Sequence, residues 1–188
     1  MDQNQNNPTP TAKSDPAMMQ VMIPSWSWPC CYGGLTAIAK VKGGPLAPQI
    51  NGNVFFVDVE GGSQVFVTIN GLPPYQPATD GNSPIGPHGF HIHQFGNCEV
   101  GDPNAPFQGA DGHLNPTNQP HGNHAGDFPV LFSNQGRAMI NFFTDKFKVS
   151  DIIGKSVVIH ENPDDYRTQP AGNSGKMLAC GVISTYCG

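Results

Sequence analysis

The sequence predicts an all-β protein, and two observations support this fold class. The 188 residues include 23 glycines and 19 prolines, a composition that favours short strands joined by turns over helices. Several segments alternate apolar and polar side chains with the period of two that is typical of a half-buried strand. A chain of this length is expected to form one domain that buries about 70% of the surface exposed by its unfolded state.

Seven segments along the chain are predicted to be strands. In the third of them, Val65, Val67 and Ile69 share one face, and the residues between them share the other. The pair Gly61-Gly62 just before it indicates a hairpin turn. Residues 73–87, with five prolines and two glycines, are predicted to form a loop before the fourth strand. The predicted strands are residues 35–41, 53–59, 64–69, 91–93, 137–143, 156–160 and 180–184.

The first 33 residues differ in composition from the rest of the chain. Residues 1–17 are polar and poor in large apolar side chains, which predicts disorder. Residues 18–33 carry aromatic and cysteine side chains that are costly to expose, so they are expected to pack on the β domain or on a second subunit. We therefore predict an N-terminal extension over residues 1–33, disordered or loosely packed, and a β domain over residues 34–188.

Charge and hydropathy argue against two classes of partner. The net charge is −5 and no cluster of basic residues occurs, which is unfavourable for binding nucleic acid or an anionic membrane. No apolar run approaches the length of a membrane span. The apolar run at residues 18–23 is interrupted by Gln20 and stopped by Pro24, so no signal peptide is predicted. Localisation in the cytoplasm and export by another route both stay open.

Six of the seven histidines, together with one aspartate, are spaced as a paired metal site. His91 and His93 are separated by one residue, so on a strand their side chains point the same way, about 7 Å apart. A Gly-, Asn- and Pro-rich stretch follows and carries four further candidates. Imidazole binds copper and zinc alike, and a carboxylate that completes a histidine set favours zinc. The remaining candidates are His113, His121, His124, Asp127 and His160.

Five short runs resemble the copper,zinc superoxide dismutase family. They are HGFHIH at 88–93, GHLNP at 112–116, HAGD at 124–127, VIHE at 158–161 and LACGVI at 178–183. The resemblance runs from about Gly34 to about Ser184 in the family's order. It implies an eight-stranded antiparallel Greek-key β-barrel, an immunoglobulin-like sandwich architecture, with long metal-binding loops. The general sandwich class in which this family is placed agrees with the all-β prediction.

The resemblance also implies cofactors, a substrate and a reaction. Superoxide would first reduce copper and leave as oxygen, and a second superoxide would reoxidise copper and leave with two protons as hydrogen peroxide. His113 would be shared by both metals as a bridging ligand, and it would be catalytic because it can take up a proton. The implied copper ligands are His91, His93, His113 and His160, and the implied zinc ligands are His113, His121, His124 and Asp127.

Other residues receive roles from the same resemblance. Asp164 matches a carboxylate that hydrogen-bonds one ligand of each metal, and His88 matches a histidine that connects strands. Cys98 and Cys180 match the family's disulfide. Cys30, Cys31 and Cys187 match no family position, and local pairing, a link between subunits and free thiols all stay open for them. A homodimer is kept as a candidate assembly.

The chain departs from the family pattern at two places. Met177 stands where the family has an arginine that guides the anionic substrate. Lys176 beside it, predicted as catalytic through its charge, and Arg167 are candidates to replace that charge. Only two residues separate His121 from His124, where animal enzymes have a longer segment. Met177 motivates the alternative of a weakly active or inactive metal-binding relative. A zinc hydrolase has little support, because no H-E-x-x-H motif occurs.

Overall fold

The computed structural model describes residues 34–187, which form one seven-stranded antiparallel sheet that curls around a core. The predicted extension over residues 1–33 lies outside this range, so the domain boundary stays a prediction. The strands lie in the order β4-β6-β7-β1-β2-β3-β5. Their bounds are β1 Thr36–Gly43, β2 Asn51–Val59, β3 Gly62–Asn70, β4 Phe90–His93, β5 Arg137–Thr144, β6 Ser156–His160 and β7 Met177–Thr185. A four-residue helix, α1 Val149–Ile152, and a 3-10 turn at Gln108–Ala110 complete the elements.

All seven segments predicted from the sequence are strands. The family fold has eight strands, and the one expected between β4 and β5 is not regular here. The backbone of residues 113–131 instead joins the β4 segment by isolated bridges, which pair His93 with His113, His91 with Asp127 and His88 with Leu131. This stretch is rich in Gly, Asn and Pro, and it must turn repeatedly to aim its histidines, so a continuous ladder does not form. The predicted count of eight strands is therefore corrected to seven within residues 34–187.

The core lies between the two halves of the curled sheet. Side chains from β4 and β6 belong to the same buried cluster as side chains from β1, β2 and β3. Both halves of the sheet therefore pack on a single core. The predicted alternation on β3 is confirmed, since Val65, Val67 and Ile69 are buried whereas Phe66 and Thr68 are exposed. Burial of these apolar side chains is the main favourable contribution to folding.

The turn between β2 and β3 is one residue earlier than predicted. Val59 pairs with Gly62, so the two-residue turn is Glu60-Gly61 and Gly62 already belongs to β3. Gly61 has a φ of +79°, a conformation that residues with a Cβ rarely adopt. The segment 73–87 connects β3 to β4 as predicted, but it contains a small hairpin in which Gln76 pairs with Ile85.

One disulfide ties the loop after β4 to the last strand. Cys98 and Cys180 form this bond across 82 positions of sequence, as the family resemblance implied. Closing a loop of this length stabilises the fold by about 4.5 kcal/mol on the chain-entropy model. Cys187 is an exposed free cysteine, whereas Cys30 and Cys31 lie outside the described residues. Within residues 34–187 no helix has the length and apolar character that a membrane crossing requires.

The alternation on β3 gives a stability prediction with a matched control on the neighbouring residue. Ile69 is fully buried, so Ile69→Ala leaves a cavity and is expected to lower the free energy of unfolding by about 2–5 kcal/mol. Thr68→Ala on the exposed face is expected to cost less than about 1 kcal/mol. Guanidinium titrations of the metal-free, disulfide-bonded protein measure both. Equal shifts for the two variants would contradict the assignment of faces.

Candidate metal centre

Strand β4 carries core residues on one face and two histidines on the other. Phe90 and Ile92 point into the core, and His91 and His93 point away from it, with ring centroids 6.2 Å apart. All four side chains are buried, because the loops after β4 and β6 cover the histidine face. Because side chains alternate between the two faces of a strand, this short strand contributes two residues to the core and two to the site.

The neighbouring strand β6 brings a third ring to this face. β6 pairs with β4, and His160 is its last residue. The Nε2 atoms of His160 and His93 lie 3.2 Å apart, with the ring centroids separated by 5.3 Å. A register shift between Ile159 and His160 marks the point where the strand bends into the following loop. Three imidazoles from two strands therefore converge.

The remaining ligand candidates come from the irregular stretch that follows β4. The ring of His113 stacks on His91 at a centroid distance of 3.8 Å. His121 and His124 flank a turn in which Gly122 has a φ of +90°. A Cβ on Gly122 would lie 2.3 Å from the carbonyl oxygen of Tyr166, so only glycine fits. This turn folds the two residues between His121 and His124 back, so that the centroids of the two rings lie 5.2 Å apart.

The candidates form two groups that share one residue. In each group the potential ligand atoms lie within 4.8 Å of one another, and His113 belongs to both. The first group is His91, His93, His113 and His160, and the second is His113, His121, His124 and Asp127. In the second group Nδ1 of His113, His121 and His124 lie 2.9, 3.3 and 3.3 Å from the same oxygen, Asp127 Oδ1.

Unpaired ring nitrogens test whether these groups suit a metal. Among the described residues, buried ring nitrogens that have no hydrogen-bond partner all belong to the two groups. They are His91 Nδ1, His113 Nε2, His121 Nδ1 and His124 Nδ1. A buried polar atom without a partner is costly, so convergence of several such atoms indicates a cation that they would ligate. The residues present therefore fit two metal ions.

Hydrogen bonds to the opposite ring nitrogens orient the histidines. Asp164 is buried and accepts from Nε2 of His91 at 2.6 Å and from Nε2 of His121 at 2.8 Å. His93 Nδ1 donates to the carbonyl oxygen of Asp111 at 2.6 Å, and His160 Nδ1 lies 3.3 Å from that of Gly175. When one nitrogen donates, the other keeps a lone pair, so each bond selects the tautomer that can bind a metal.

Burial sets the protonation states of the site. Burial and the neighbouring histidines hold the pKa of His91 and of His93 well below the usual value. Burial, helped by His113, lowers the pKa of His160 to about 3. Burial alone would raise the pKa of Asp127, but hydrogen bonds from His113 and from the His124 amide lower it to about 2. At neutral pH these rings are neutral and the carboxylate is ionised, which metal binding requires.

Comparison with known proteins identifies the family. A family model described as copper/zinc superoxide dismutase (SODC) matches residues 50–183. The chain belongs to the copper/zinc superoxide dismutase family.

Relatives and solved structures agree with this family. A copper-zinc superoxide dismutase of Deinococcus radiodurans is 35% identical over 153 residues, covering 72% of this chain and 78% of the relative. Superoxide dismutase [Cu-Zn] 2 of Aquifex aeolicus is 33% identical over 150 residues, covering 72% of this chain and 80% of the relative. The structure of the Cu/Zn superoxide dismutase from Brucella abortus superposes with a TM-score of 0.63 at 28% identity, covering 78% of this chain and 98% of that one. The fold is thus the Greek-key β-barrel of the family.

The chain is accordingly a superoxide dismutase that uses copper and zinc. It converts superoxide to oxygen and hydrogen peroxide, as the resemblance implied. The alternative of a weakly active or inactive relative, which Met177 motivated, has no better support from the matches.

The positions predicted to govern attraction of the substrate of this superoxide dismutase differ in their exposure. Met177 begins β7 and pairs with His160, and its side chain packs partly buried against the cluster around the disulfide. Lys176 and Arg167 are exposed. His88 is buried and its Nδ1 donates to the carbonyl oxygen of His160 at 2.8 Å, which suits the structural role predicted for it.

Three residues with roles in this superoxide dismutase were not found from the sequence. Gln169 accepts from the amide of His121 at 2.8 Å and donates to its carbonyl oxygen at 3.3 Å. Tyr166 donates through its hydroxyl to Phe128 and accepts from the amide of Val130. Lys146 Nζ donates to Asn123 at 2.7 Å. All three fasten the loop that carries the second group, and no motif or spacing marks them.

The lowered pKa values predict acid instability of the metal-free protein. The unfolded state binds protons at histidine below pH 6.5, whereas the folded state holds the pKa of His160 near 3, so the unfolded state binds more protons between these values. Stability is thus full above pH 6.5 and falls as the pH drops towards 3, by up to about 1.4 kcal/mol per pH unit for each such group. Asp127 adds a loss between pH 3.8 and about 2.

Urea titrations of the metal-free protein from pH 8 to pH 4 measure this dependence. His160→Gln removes one of the titrating rings, so its stability should fall less steeply with pH than that of the unaltered chain. A stability that is flat between pH 7 and pH 5 would contradict the assignment of neutral buried rings.

Proposed function

We propose that His91, His93, His113 and His160 hold the copper ion, and that His113, His121, His124 and Asp127 hold the zinc ion. The position of His113 carries this proposal. Its Nδ1 lies 2.9 Å from Asp127 Oδ1 of the second group, and its buried Nε2 lacks a hydrogen-bond partner within residues 34–187. The residue itself belongs to both groups. One ring can therefore present a nitrogen to each ion.

The chemistry of the donor atoms supports copper in the first group and zinc in the second. The first group offers nitrogen alone, which suits an ion that changes oxidation state, and the second adds a carboxylate, which suits zinc. When bound, copper supplies one-electron oxidation and reduction, and zinc supplies a redox-inert charge that fixes the shared ring.

Two residues of this chain would take part in proton transfer and in positioning of the ligands. Two superoxide ions need two protons to leave as oxygen and hydrogen peroxide. We assign the holding and release of one proton to His113 Nε2, which is buried and lacks a hydrogen-bond partner within residues 34–187. Asp164 would act as a positioning residue, because it fixes one ring of each group through His91 and His121.

Delivery of the substrate would depend on surface charge. Superoxide is an anion and the chain carries a net charge of −5, so a local positive charge near the site raises the association rate. We propose Lys176 as the nearest such charge in sequence to Met177, with Arg167 as a second.

The other expected properties of partners stay predictions. A net charge of −5 and the lack of a basic cluster support a protein that binds neither nucleic acid nor an anionic membrane surface. A homodimer is compatible with the family, and a mass measurement by light scattering tests it.

His113→Ala tests the shared ligand. Because both groups lose a donor, copper and zinc per chain should both fall, and superoxide consumption should fall with them. His121→Ala is the matched control, since it removes a ring from the second group alone and should lower zinc more than copper. Elemental analysis of the purified variants gives the metal contents. Loss of copper with zinc fully retained in His113→Ala would refute a shared ring.

Met177→Arg tests the substrate path without altering a ligand. A guanidinium at this position should raise kcat/KM by up to about tenfold at low salt and make the rate more sensitive to ionic strength. Lys176→Gln should lower the rate and reduce its salt dependence, while metal content stays constant in both variants. The measurement is superoxide consumption over a series of salt concentrations. An unchanged rate and salt slope in both variants would mean that the site is not steered by these positions.

A further inference from the structure

The outward face of β1, β2, β3 and β5 carries several large apolar side chains. The strand register places Ile38, Phe55 and Phe66 in one row across three neighbouring strands. Phe143 and Met139 flank the end of this row on β5 and are 52% and 68% exposed, while Phe66 is 43% exposed. Asn141 ends the row between these two side chains, so the face carries several exposed large apolar side chains among polar ones. A group of exposed large apolar side chains can mark a contact.

Further apolar side chains on this side belong to β1, to β2 and to the residue that follows β7. Ile38 alternates with core residues on β1, so it points outward, yet it is only 7% exposed. Phe55 and Tyr186 pack edge to face on this side with ring centroids 5.4 Å apart. The face therefore already buries side chains next to the point where β1 begins.

The chain enters β1 beside this face. Thr36, the first residue of β1, lies in a row with Val57 on β2, Gln64 on β3 and Phe143 on β5. Three strand spacings separate the ends of the row, which is about 14 Å. A segment that precedes Gly34 thus starts within reach of the whole face.

The 33 residues before Gly34 contain an apolar stretch with no partner assigned from the sequence. Both tryptophans of the chain lie in it, in the run MMQVMIPSWSWPCCY at residues 18–32. Fifteen residues span up to about 50 Å when extended, well beyond the width of the face. Exposing these side chains to water would be unfavourable.

We propose that residues 18–32 of this chain dock on the outward face of β1, β2, β3 and β5. The tether favours this occupant over a second copy, because a segment that ends three residues before β1 has an effective concentration in the millimolar range. A second copy must in addition give up its translational freedom to reach the same surface. Docking leaves the metal ligands untouched, because they belong to β4, β6 and the loops.

Tryptophan fluorescence tests this contact on the full-length, metal-loaded protein. Trp26 and Trp28 are the two tryptophans of the chain, so emission reports on the segment alone. Phe66→Asp and Met139→Asp place a charge in the face, and Phe132→Asp is the control at a phenylalanine outside it that is 63% exposed. Acrylamide quenching, emission wavelength, mass by light scattering and superoxide consumption are measured for each at equal copper content.

The docked segment predicts a specific combination of results. Tryptophan quenching in the unaltered chain should be weaker than in denaturant. Both variants in the face should raise quenching and shift emission to longer wavelength, with mass and activity unchanged, and Phe132→Asp should leave quenching as it was.

Three results would overturn the proposal. Quenching in the unaltered chain equal to that in denaturant would mean that the segment is not covered. Weak quenching that stays unchanged in Phe66→Asp and in Met139→Asp would mean that the segment is covered by another part of the protein. A halved mass in Phe66→Asp and Met139→Asp would show that a second copy occupies the face.

Discussion

The carboxylate of Asp164 connects the two halves of the metal centre, and the geometry of the site depends on it. One oxygen accepts from His91 on β4, and the other accepts from His121 in the irregular stretch. The amide of Tyr166 donates to the same oxygen as His121, at 2.7 Å. A Cβ on Gly172 would lie 1.9 Å from this oxygen, so the loop backbone packs directly on the carboxylate. A strand and two loops are thereby held in register by one side chain.

The site is held by loops, but its protonation states follow from burial. Four rings from β4, β6 and the stretch after β4 are packed with ring centroids 3.8 to 6.2 Å apart. Placing neutral rings in this space is feasible, whereas placing several charged rings there is not, which is why the pKa values of His91, His93 and His160 are lowered. The same packing that makes the metal-free protein sensitive to acid therefore prepares the ligands for metal.

Sequence periodicity predicted the strands well where a strand has one face in the core. The alternation of β3 fixed both its face and its extent to within two residues. Periodicity could not predict that β7 begins at Met177, because residues 177–179 pair with the bulged end of β6 rather than continue an alternating pattern. It also could not show that residues 113–131 replace a regular strand, since isolated bridges have no period.

The site was predictable to the extent that its residues are local in sequence or belong to a motif. His91 and His93 follow from strand alternation, and the grouping of His113, His121 and His124 follows from a short loop. The contacts that hold this loop, from Gln169 and Lys146, are between side chains and a distant backbone. Such contacts depend on where two loops meet in space, so no spacing within either loop could reveal them.

The surroundings of Met177 indicate that a change at this position would act on substrate delivery and not on the hydrogen bonds that orient the ligands. Its side chain packs with the cluster of Phe107, Val158 and Cys180, so the position contributes apolar contact next to the disulfide. The ligands themselves are buried and oriented by Asp164 and by backbone carbonyls, none of which involves the side chain of residue 177. Charge at the surface acts on the association rate over a distance set by salt screening, and it acts little on buried ligands. Under the proposed assignment, methionine in place of the family's arginine would leave the ligands in position and would change only the approach of the anion.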